Sequence, residues 1–316
     1  MVPCFSSGVF LVSLLITGSI HAFTPKTFTL IRPTTPNIKI DVDSATRSLF
    51  PGEILPMAWG GQVLSKNAFR LGLPSELVEG LLSYADTMGI TDFYRGLVID
   101  NNPFEPGQQG TVRFGDKNWL VQRPKSNWRS NMHWTSPADE TAHDDNLKVL
   151  SAGGFDEVLD KIGTYFGLDN LSAYHLSFIG VSHCEKGFIH ADVNDSGRKA
   201  FNIIIPLILE SDAAPELEIL SDDETATRHY KYKINAASMV GDDALHATAP
   251  CDYRALGKMR LAATVYVGDI TAENVKQLLM SLTQAYPPPG DAKHLLDRAG
   301  SHWSKRDSSK RLPIAY

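Results

Sequence analysis

Cysteine is scarce in this chain, with three among 316 residues, at positions 4, 184 and 251. So few cysteines exclude the disulfide frameworks that hold small secreted domains together. Positive charge is not in excess either, because 30 Lys and Arg stand against 36 Asp and Glu. This balance excludes a basic nucleic-acid binder, which needs a clustered positive field to hold phosphates. With 43% hydrophobic and 21% charged residues, the composition is that of an ordinary folded protein.

The first 22 residues contain no Lys, Arg, Asp or Glu, and their one apolar run, residues 9–20, is 12 residues long. Twelve helical residues span roughly 18 Å, which is short of a hydrocarbon core of ~30 Å. Residues 1–22 are therefore typical of a secretory signal peptide, with cleavage expected after Ala22. No second run of this kind follows, so no membrane contact is expected of the mature form.

Residues 23–40 have the composition of a transit peptide, with three basic residues, five Thr and no acidic residue. Behind a signal peptide, they resemble the bipartite plastid presequences of algae whose plastids lie inside the secretory system. The alternative is a flexible basic linker, with the endoplasmic reticulum or the exterior as the destination. Without residues 1–40 the chain keeps 27 basic and 36 acidic residues, a net charge of −9.

The rest of the chain divides into two parts that differ in residue composition and periodicity. Residues 41–171 are expected to form N-terminal helices and buttressing strands. Apolar residues at helical spacing predict amphipathic helices at 75–88 and 155–166. Residues 101–146 are rich in Asn, Pro, Gly and Asp, which predicts long loops around short strands at 111–114 and 118–122.

From residue 172 the sequence changes to short runs of β-branched and aromatic residues separated by turns. These predict strands at 173–181, 201–209, 216–220, 229–234, 236–240 and 259–267. Such spacing is typical of an antiparallel sandwich or barrel, so the expected fold class is mainly β with flanking helices. A C-terminal helix is predicted within 270–286, followed by a Pro-rich turn and basic tail at 287–316.

Three pairs of histidine and acid at i, i+2 compete for a metal-binding role: His143/Asp145, His183/Glu185 and His190/Asp192. His143 lies in a polar stretch ahead of a helix, where a loop or capping role is expected. His183 ends a strand beside a charged turn. The third pair lies between two predicted strands. On extended backbone its spacing directs both side chains to one face, where an imidazole and a carboxylate can bind one metal.

His246, behind a Gly-Asp-Asp turn, can supply a third ligand from another strand. Two His and one carboxylate are the ligands of non-haem Fe(II) oxygenases. Such an enzyme needs electrons to split O₂, which 2-oxoglutarate supplies by decarboxylation, and the distal carboxylate of 2-oxoglutarate needs a cation. Arg260 shares a strand face with Ala262, Thr264 and Tyr266 that can line a barrel lumen. Its guanidinium can bind a carboxylate through two hydrogen bonds.

Residues 187–207 and 237–269 resemble the core of the Fe(II)/2-oxoglutarate-dependent oxygenases, in particular their prolyl-4-hydroxylase-like branch. The family has a His-x-Asp after the second core strand, a distal His after a Gly-containing turn and a basic residue on the last core strand. The resemblance implies a double-stranded β-helix, a jelly-roll or cupin-like barrel, over residues 172–269. It also implies a site made of three iron ligands and a 2-oxoglutarate anchor: His190, Asp192, His246 and Arg260.

The spacing between His246 and Arg260 is long for this branch, and Arg254 is a competing anchor. The alternation of side chains along residues 259–267 favours Arg260, because it places this residue on the face that can line the lumen. Four further polar residues are candidates to assist at the co-substrate: Tyr174, Ser177, Asn202 and Thr264.

The resemblance implies an oxygenase that uses Fe(II), 2-oxoglutarate and O₂ to hydroxylate an unidentified peptidyl or small-molecule substrate. One alternative is a non-catalytic jelly-roll binding module. Another is a cupin-type metalloenzyme without 2-oxoglutarate, in which Arg260 is structural. Cys184 and Cys251 flank the proposed site, and they form either one disulfide or, as expected in a reducing plastid stroma, two free thiols. The sequence leaves the oligomeric state open.

Overall fold

A computed structural model of the chain describes residues 60–65, 67–99, 104–123, 130–197, 199–209, 216–221, 226–281 and 295–297. All of them belong to one unit of the chain, Ser48–Tyr316. The predicted signal peptide (1–22), the segment 23–40 and the tail from residue 298 lie outside the described residues. Across the described ranges, none of the helices has both the length and the apolar character that a membrane span requires.

Antiparallel strands dominate the described part of the chain. They are β1 Gly61–Ser65, β2 Ala68–Gly72, β3 Gln109–Phe114, β4 Lys117–Gln122, β5 Ser130–Pro137, β6 Leu171–Cys184, β7 Ala200–Leu209, β8 Glu216–Leu220, β9 Thr227–Lys231, β10 Ala236–Gly241, β11 His246–Thr248, β12 Cys251–Asp252 and β13 Arg260–Asp269. The larger sheet has the order β1-β2-β10-β7-β13-β6-β5-β4-β3, with β12 beside β6. The smaller sheet has the order β11-β8-β9.

The helices of the described residues are α1 Ser75–Thr87, α2 Ile90–Ile99, α3 Glu140–Ala152, α4 Phe155–Phe166 and α5 Val275–Ser281. The first four cover one face of the larger sheet, and α5 packs through Leu278 in a separate cluster with Tyr174 and Tyr266. Helix α1 contacts β7, and α2, α3 and α4 contact β6. Alternate strand residues such as Phe178 and Val265 turn toward these helices and join the main apolar core. Burial of this face is the principal stabilising interaction of the fold.

The smaller sheet packs on the opposite face of the larger one. Leu217 and Ile219 of β8 contact Ile204 of β7 and Ala262 of β13 in a second buried cluster. Two antiparallel sheets facing each other, with helices outside, form a jelly-roll-like fold, which confirms the predicted fold class. The domain boundaries proposed from the sequence stay predictions.

The helices predicted at 75–88 and 155–166 are confirmed by α1 and α4, and the strands predicted after residue 172 are confirmed by β6 to β10 and β13. The loops predicted over 101–146 are wrong in part, because β5 and the start of α3 lie there. The helix-facing side of β5 carries buried His133 and Thr135, and the inward side of α3 carries buried His143 and Asn146. Polar residues on these faces remove the apolar periodicity by which buried elements are detected.

Candidate metal and co-substrate site

A backbone contact brings the two candidate histidine ligands together. His190 follows the turn after β6, and His246 is the first residue of β11. Their backbones exchange two hydrogen bonds, His190 N to His246 O at 3.0 Å and His246 N to His190 O at 2.9 Å. Nearby, a Cβ atom on Gly187 would lie 2.2 Å from the carbonyl oxygen of Thr248, so only glycine fits against β11 at this position.

The side chains of His190, Asp192 and His246 form one cluster, with a ligand atom from each lying within 4.8 Å of the others. No other group of three such residues occurs in the part of the chain that the structure describes. Asp192 bridges the rings, with Oδ1 3.3 Å from His190 Nε2 and Oδ2 3.2 Å from His246 Nε2.

The backbone orients both imidazoles. His190 Nδ1 lies 2.6 Å from the carbonyl oxygen of Phe188, and His246 Nδ1 lies 2.8 Å from that of Ala244. A carbonyl oxygen only accepts, so each Nδ1 carries the hydrogen that it donates. Each Nε2 therefore faces Asp192 and can offer a lone pair to a metal, the arrangement that outer hydrogen bonds impose on histidine ligands.

Burial and neighbouring charges shift the pKa values of Asp192 and His246 in opposite directions. Burial alone would raise the pKa of Asp192, but His246 and His190 hold it well below its usual range. Burial alone would lower the pKa of His246, but the Asp192 carboxylate outweighs it and raises that pKa. Asp192 is therefore an anion at neutral pH, ready to bind a cation.

Arg260 lines the same cleft and is only 3% exposed. Its guanidinium carbon lies 4.8 Å from the ring centre of Tyr232, and Nη2 lies 3.5 Å from Thr248 Oγ1. Nε and Nη1 have no hydrogen-bond partner, and no carboxylate of the described residues pairs with the guanidinium. A buried cation with free donors is costly unless an anion completes it, which makes this end of the cleft a candidate anion site.

Arg254, the competing anchor, lies outside the cleft in a short turn at Arg254–Leu256. It is half exposed, and its Nη2 donates to Asp252 Oδ2 at 2.6 Å. The structure thus places Arg260, and not Arg254, in the cleft, as the alternation of side chains along β13 predicts.

The cleft lies between the two sheets and is open to solvent. Sequence reasoning missed the wall that β4 and β5 add through Gln122, Met132 and Trp134. Gln122 pairs directly with Trp134, and Trp134 pairs with Ile179 of β6. This row depends on long-range pairing, so no local signal in the sequence indicates it.

The other predicted co-substrate residues have different surroundings. Asn202 lines the cleft, but its Nδ2 donates to Asp192 Oδ2 at 2.6 Å. The hydroxyls of Ser177 and Thr264 bond to each other at 2.6 Å.

Tyr174 lies outside the cleft, which corrects its predicted role at the co-substrate. A bulge between β6 and β13 leaves it without a paired residue, because Tyr266 pairs with His175 and Val267 pairs with Ala173. Its ring packs in a separate apolar cluster that includes Ile270 and Leu278.

The rival histidines lie apart from the cluster. His143 is fully buried on α3, with Nε2 2.7 Å from the carbonyl oxygen of Tyr174, so the loop or capping role predicted for it is wrong. His183 lies near the end of β6, and partial burial lowers its pKa. Cys184 and Cys251 face each other across β6 and β12 as free thiols.

Comparison with known proteins gives matches in structure alone: no family model matches the sequence, and no curated protein matches it. One similar solved structure is a Pseudomonas putida prolyl-4-hydroxylase, with 15% identity, 64% of this chain and 92% of that chain covered, and a TM-score of 0.36. Another is a Trichoplax adhaerens prolyl hydroxylase in complex with a hypoxia-inducible factor peptide, with 12% identity, 69% and 88% covered, and a TM-score of 0.43.

A third is HygX from Streptomyces hygroscopicus with nickel and 2-oxoglutarate bound, at 10% identity, 66% and 89% coverage and a TM-score of 0.38.

Proposed function

We propose that this protein is a non-haem Fe(II)- and 2-oxoglutarate-dependent dioxygenase that hydroxylates a peptide or a small molecule. One observation supports this function above all others. A single cleft presents two histidines and an aspartate converging on one point, together with a buried arginine that has no counter-ion among the described residues.

The cluster fits a divalent metal. His190, Asp192 and His246 offer two imidazole nitrogens and one carboxylate oxygen, a donor set that leaves other coordination positions open and suits Fe(II). The Nδ1 contacts to backbone carbonyls fix both rings before any metal binds. The pKa of Asp192 is held well below its usual range, so the site has a ligand charge at neutral pH.

The part of the cleft around Arg260 fits a carboxylate. Arg260 Nε and Nη1 are both unpartnered, so the guanidinium keeps free N–H donors with which to bind a planar carboxylate. Tyr232 stacks against the guanidinium and Thr248 contacts Nη2, so Arg260 is held in place. A dicarboxylate bound here would direct its other end toward the histidine and aspartate cluster, as 2-oxoglutarate requires.

Bound here, Fe(II) and 2-oxoglutarate would supply the chemistry of O₂ activation, in which the 2-oxo acid is oxidised to succinate and CO₂. The chain binds the metal through three side chains and orients the co-substrate through Arg260. Met132, Trp134 and Ile179 supply an apolar wall that limits water near the reacting atoms and leaves room for a substrate.

The test is anaerobic titration of the recombinant 41–316 fragment with Fe(II) and then with 2-oxoglutarate, followed by measurement of succinate in air. We expect Fe(II) binding, 2-oxoglutarate binding that depends on the metal, and succinate formation that a correct substrate increases. A binding module would bind neither ligand. A cupin-type metalloenzyme would bind the metal and turn over without 2-oxoglutarate. Either result would reject the proposed function.

We also propose that residues 1–40 direct the protein into the secretory pathway and on to a plastid. The uncharged apolar segment at 9–20 and the basic, Thr-rich segment at 23–40 support this route. Fluorescent fusions of residues 1–22 and 1–40, expressed in an alga with secretory-route plastids, test it. Plastid import should require both segments, and secretion of the 1–40 fusion would instead support a plain signal peptide.

A further inference from the structure

Asn202 occupies a position where an asparagine is costly. It lies within β7, paired with Val240 of β10 on one side and with Tyr266 of β13 on the other. It is 2% exposed. Asparagine is disfavoured inside strands, and its amide loses water when buried. An apolar residue would satisfy the fold better, so the amide needs another explanation.

The contacts of the amide supply that explanation. Asn202 Nδ2 donates to Asp192 Oδ2 at 2.6 Å, the shortest contact that the carboxylate makes. Carboxylate oxygens only accept, so the nitrogen must face Asp192 and the amide oxygen must face away. That oxygen, Oδ1, is buried and has no hydrogen-bond partner in the described structure. The side chain is thus arranged for one task, holding Oδ2 of Asp192.

We propose that Asn202 is a positioning residue of the metal centre, which holds Oδ2 of Asp192 so that the carboxylate binds the metal through Oδ1 alone. This inference rests on the proposed function. A metal with six positions that takes two imidazoles and one carboxylate oxygen keeps three positions for a 2-oxo acid and O₂. A carboxylate free to rotate would bind through both oxygens and occupy one of those three. Asn202 therefore acts through Asp192 and sets how many positions stay open.

Co(II) tests the proposal without any turnover, because its visible absorption reports the number and arrangement of its ligands. Asn202→Leu keeps the branched shape and the number of side-chain heavy atoms, and removes the donor. We expect its Co(II) affinity to fall about tenfold, as loss of an outer hydrogen bond to a ligand typically causes, and its visible spectrum to change. Asn202→Ala introduces no bulk and should show the same spectral change if the leucine variant folds poorly.

Asn146 on α3 provides the matched control. It is equally buried, its Nδ2 donates to the carbonyl oxygen of Leu176 at 3.0 Å, and its Oδ1 also lacks a partner, but it lies away from the cleft. Asn146→Leu should change stability and leave the Co(II) affinity and spectrum unchanged. Wild-type affinity and spectrum in both Asn202 variants would overturn the positioning role and leave the metal centre intact. Failure of the wild-type protein to bind Co(II) would reject the proposed function itself.

Discussion

Two pairs of neighbouring histidines in this molecule have opposite properties. His190 and His246 lie in the cleft with ring centres 4.6 Å apart, and both reach Asp192. His143 and His175 are stacked behind β6 with ring centres 6.2 Å apart, and both are fully buried. Among the described residues, no carboxylate lies close enough to His143 and His175 to form a potential metal-binding group with them.

The difference indicates that a carboxylate, and not the closeness of two imidazoles, makes the cleft cluster a candidate metal site. At His246 the Asp192 carboxylate outweighs burial and raises the pKa. At His175, burial and then the neighbouring His143 lower the pKa to about 3, and neither ring nitrogen has a hydrogen-bond partner. The first pair is polarised toward cation binding, and His175 of the second pair is held neutral as part of the packing.

Removing the carboxylate should have the largest effect, because it makes the first pair resemble the second. Asp192→Ala should weaken Fe(II) binding by more than the ~10–100-fold that loss of an outer contact causes, and should abolish hydroxylation. Anaerobic calorimetry measures the affinity. Asp145→Ala, which removes the acid of the rival His143 pattern, is the control and should bind Fe(II) as the wild type does. Tight Fe(II) binding by Asp192→Ala would show that the cluster is not the site.

Arg260→Met should weaken 2-oxoglutarate binding without lowering the stability of the unliganded protein. The buried guanidinium has no counter-ion among the described residues, so its removal should leave the unliganded protein at least as stable in thermal unfolding. The 2-oxoglutarate dissociation constant of the metal-loaded protein should rise roughly 30-fold or more, since charge-assisted hydrogen bonds contribute about 2 kcal/mol or more. Arg254→Ala should change neither quantity. The reverse result, with loss in Arg254→Ala alone, would move the anchor to the surface turn.

His175→Phe should change how stability depends on pH. In the folded protein the pKa of His175 is about 3, whereas an unfolded histidine titrates near its ordinary value of 6.5. The unfolded state therefore binds the extra proton below pH 6.5, and stability falls as the pH falls. His175→Phe loses no side-chain hydrogen bond and should remove about 2 kcal/mol of the stability decrease between pH 7 and pH 5. Urea unfolding at both pH values measures this, and an unchanged decrease would contradict the buried neutral state.

The smallest effect is expected at the third histidine pattern. His183 lies near the strand end beside Asp252 and Glu185, outside the cluster. His183→Ala should leave the Fe(II) dissociation constant within about twofold of the wild-type value, because surface substitutions away from a site have small effects. The same calorimetry serves, and a loss comparable to that of Asp192→Ala would place the metal near His183.

Sequence reasoning reached the parts of the site that depend on strand periodicity. The i, i+2 spacing of His190 and Asp192 and the alternation along β13 predicted a shared cleft, and His190, Asp192, Arg260, Ala262 and Tyr266 line it. Thr264, predicted on the same face of β13, is not among the lining residues and bonds to Ser177 instead. The role of Asn202 was out of reach, because its contact with Asp192 depends on how β7 lies beside the loop that carries the ligand. Tyr232 was missed for the same reason, since only the folded chain places its ring against Arg260.

The helices also differ in how well the sequence predicts them. Helices α1 and α4 follow from apolar residues at regular spacing, whereas α3 buries His143 and Asn146, whose polarity hides the period. One local signal was available: Asp139 accepts a hydrogen bond from the backbone nitrogen of Ala142 and caps α3. An N-cap before a polar helix is therefore better evidence of a helix than its apolar pattern.

The reciprocal backbone hydrogen bonds between His190 and His246 also bear on how the centre is loaded. Zinc fingers order their ligands only when metal arrives, so a chelator unfolds them. Here the backbone holds both imidazoles in place through contacts that involve no metal. A chelator should therefore empty the site without unfolding the protein, and the same molecules should bind metal again once the chelator is removed.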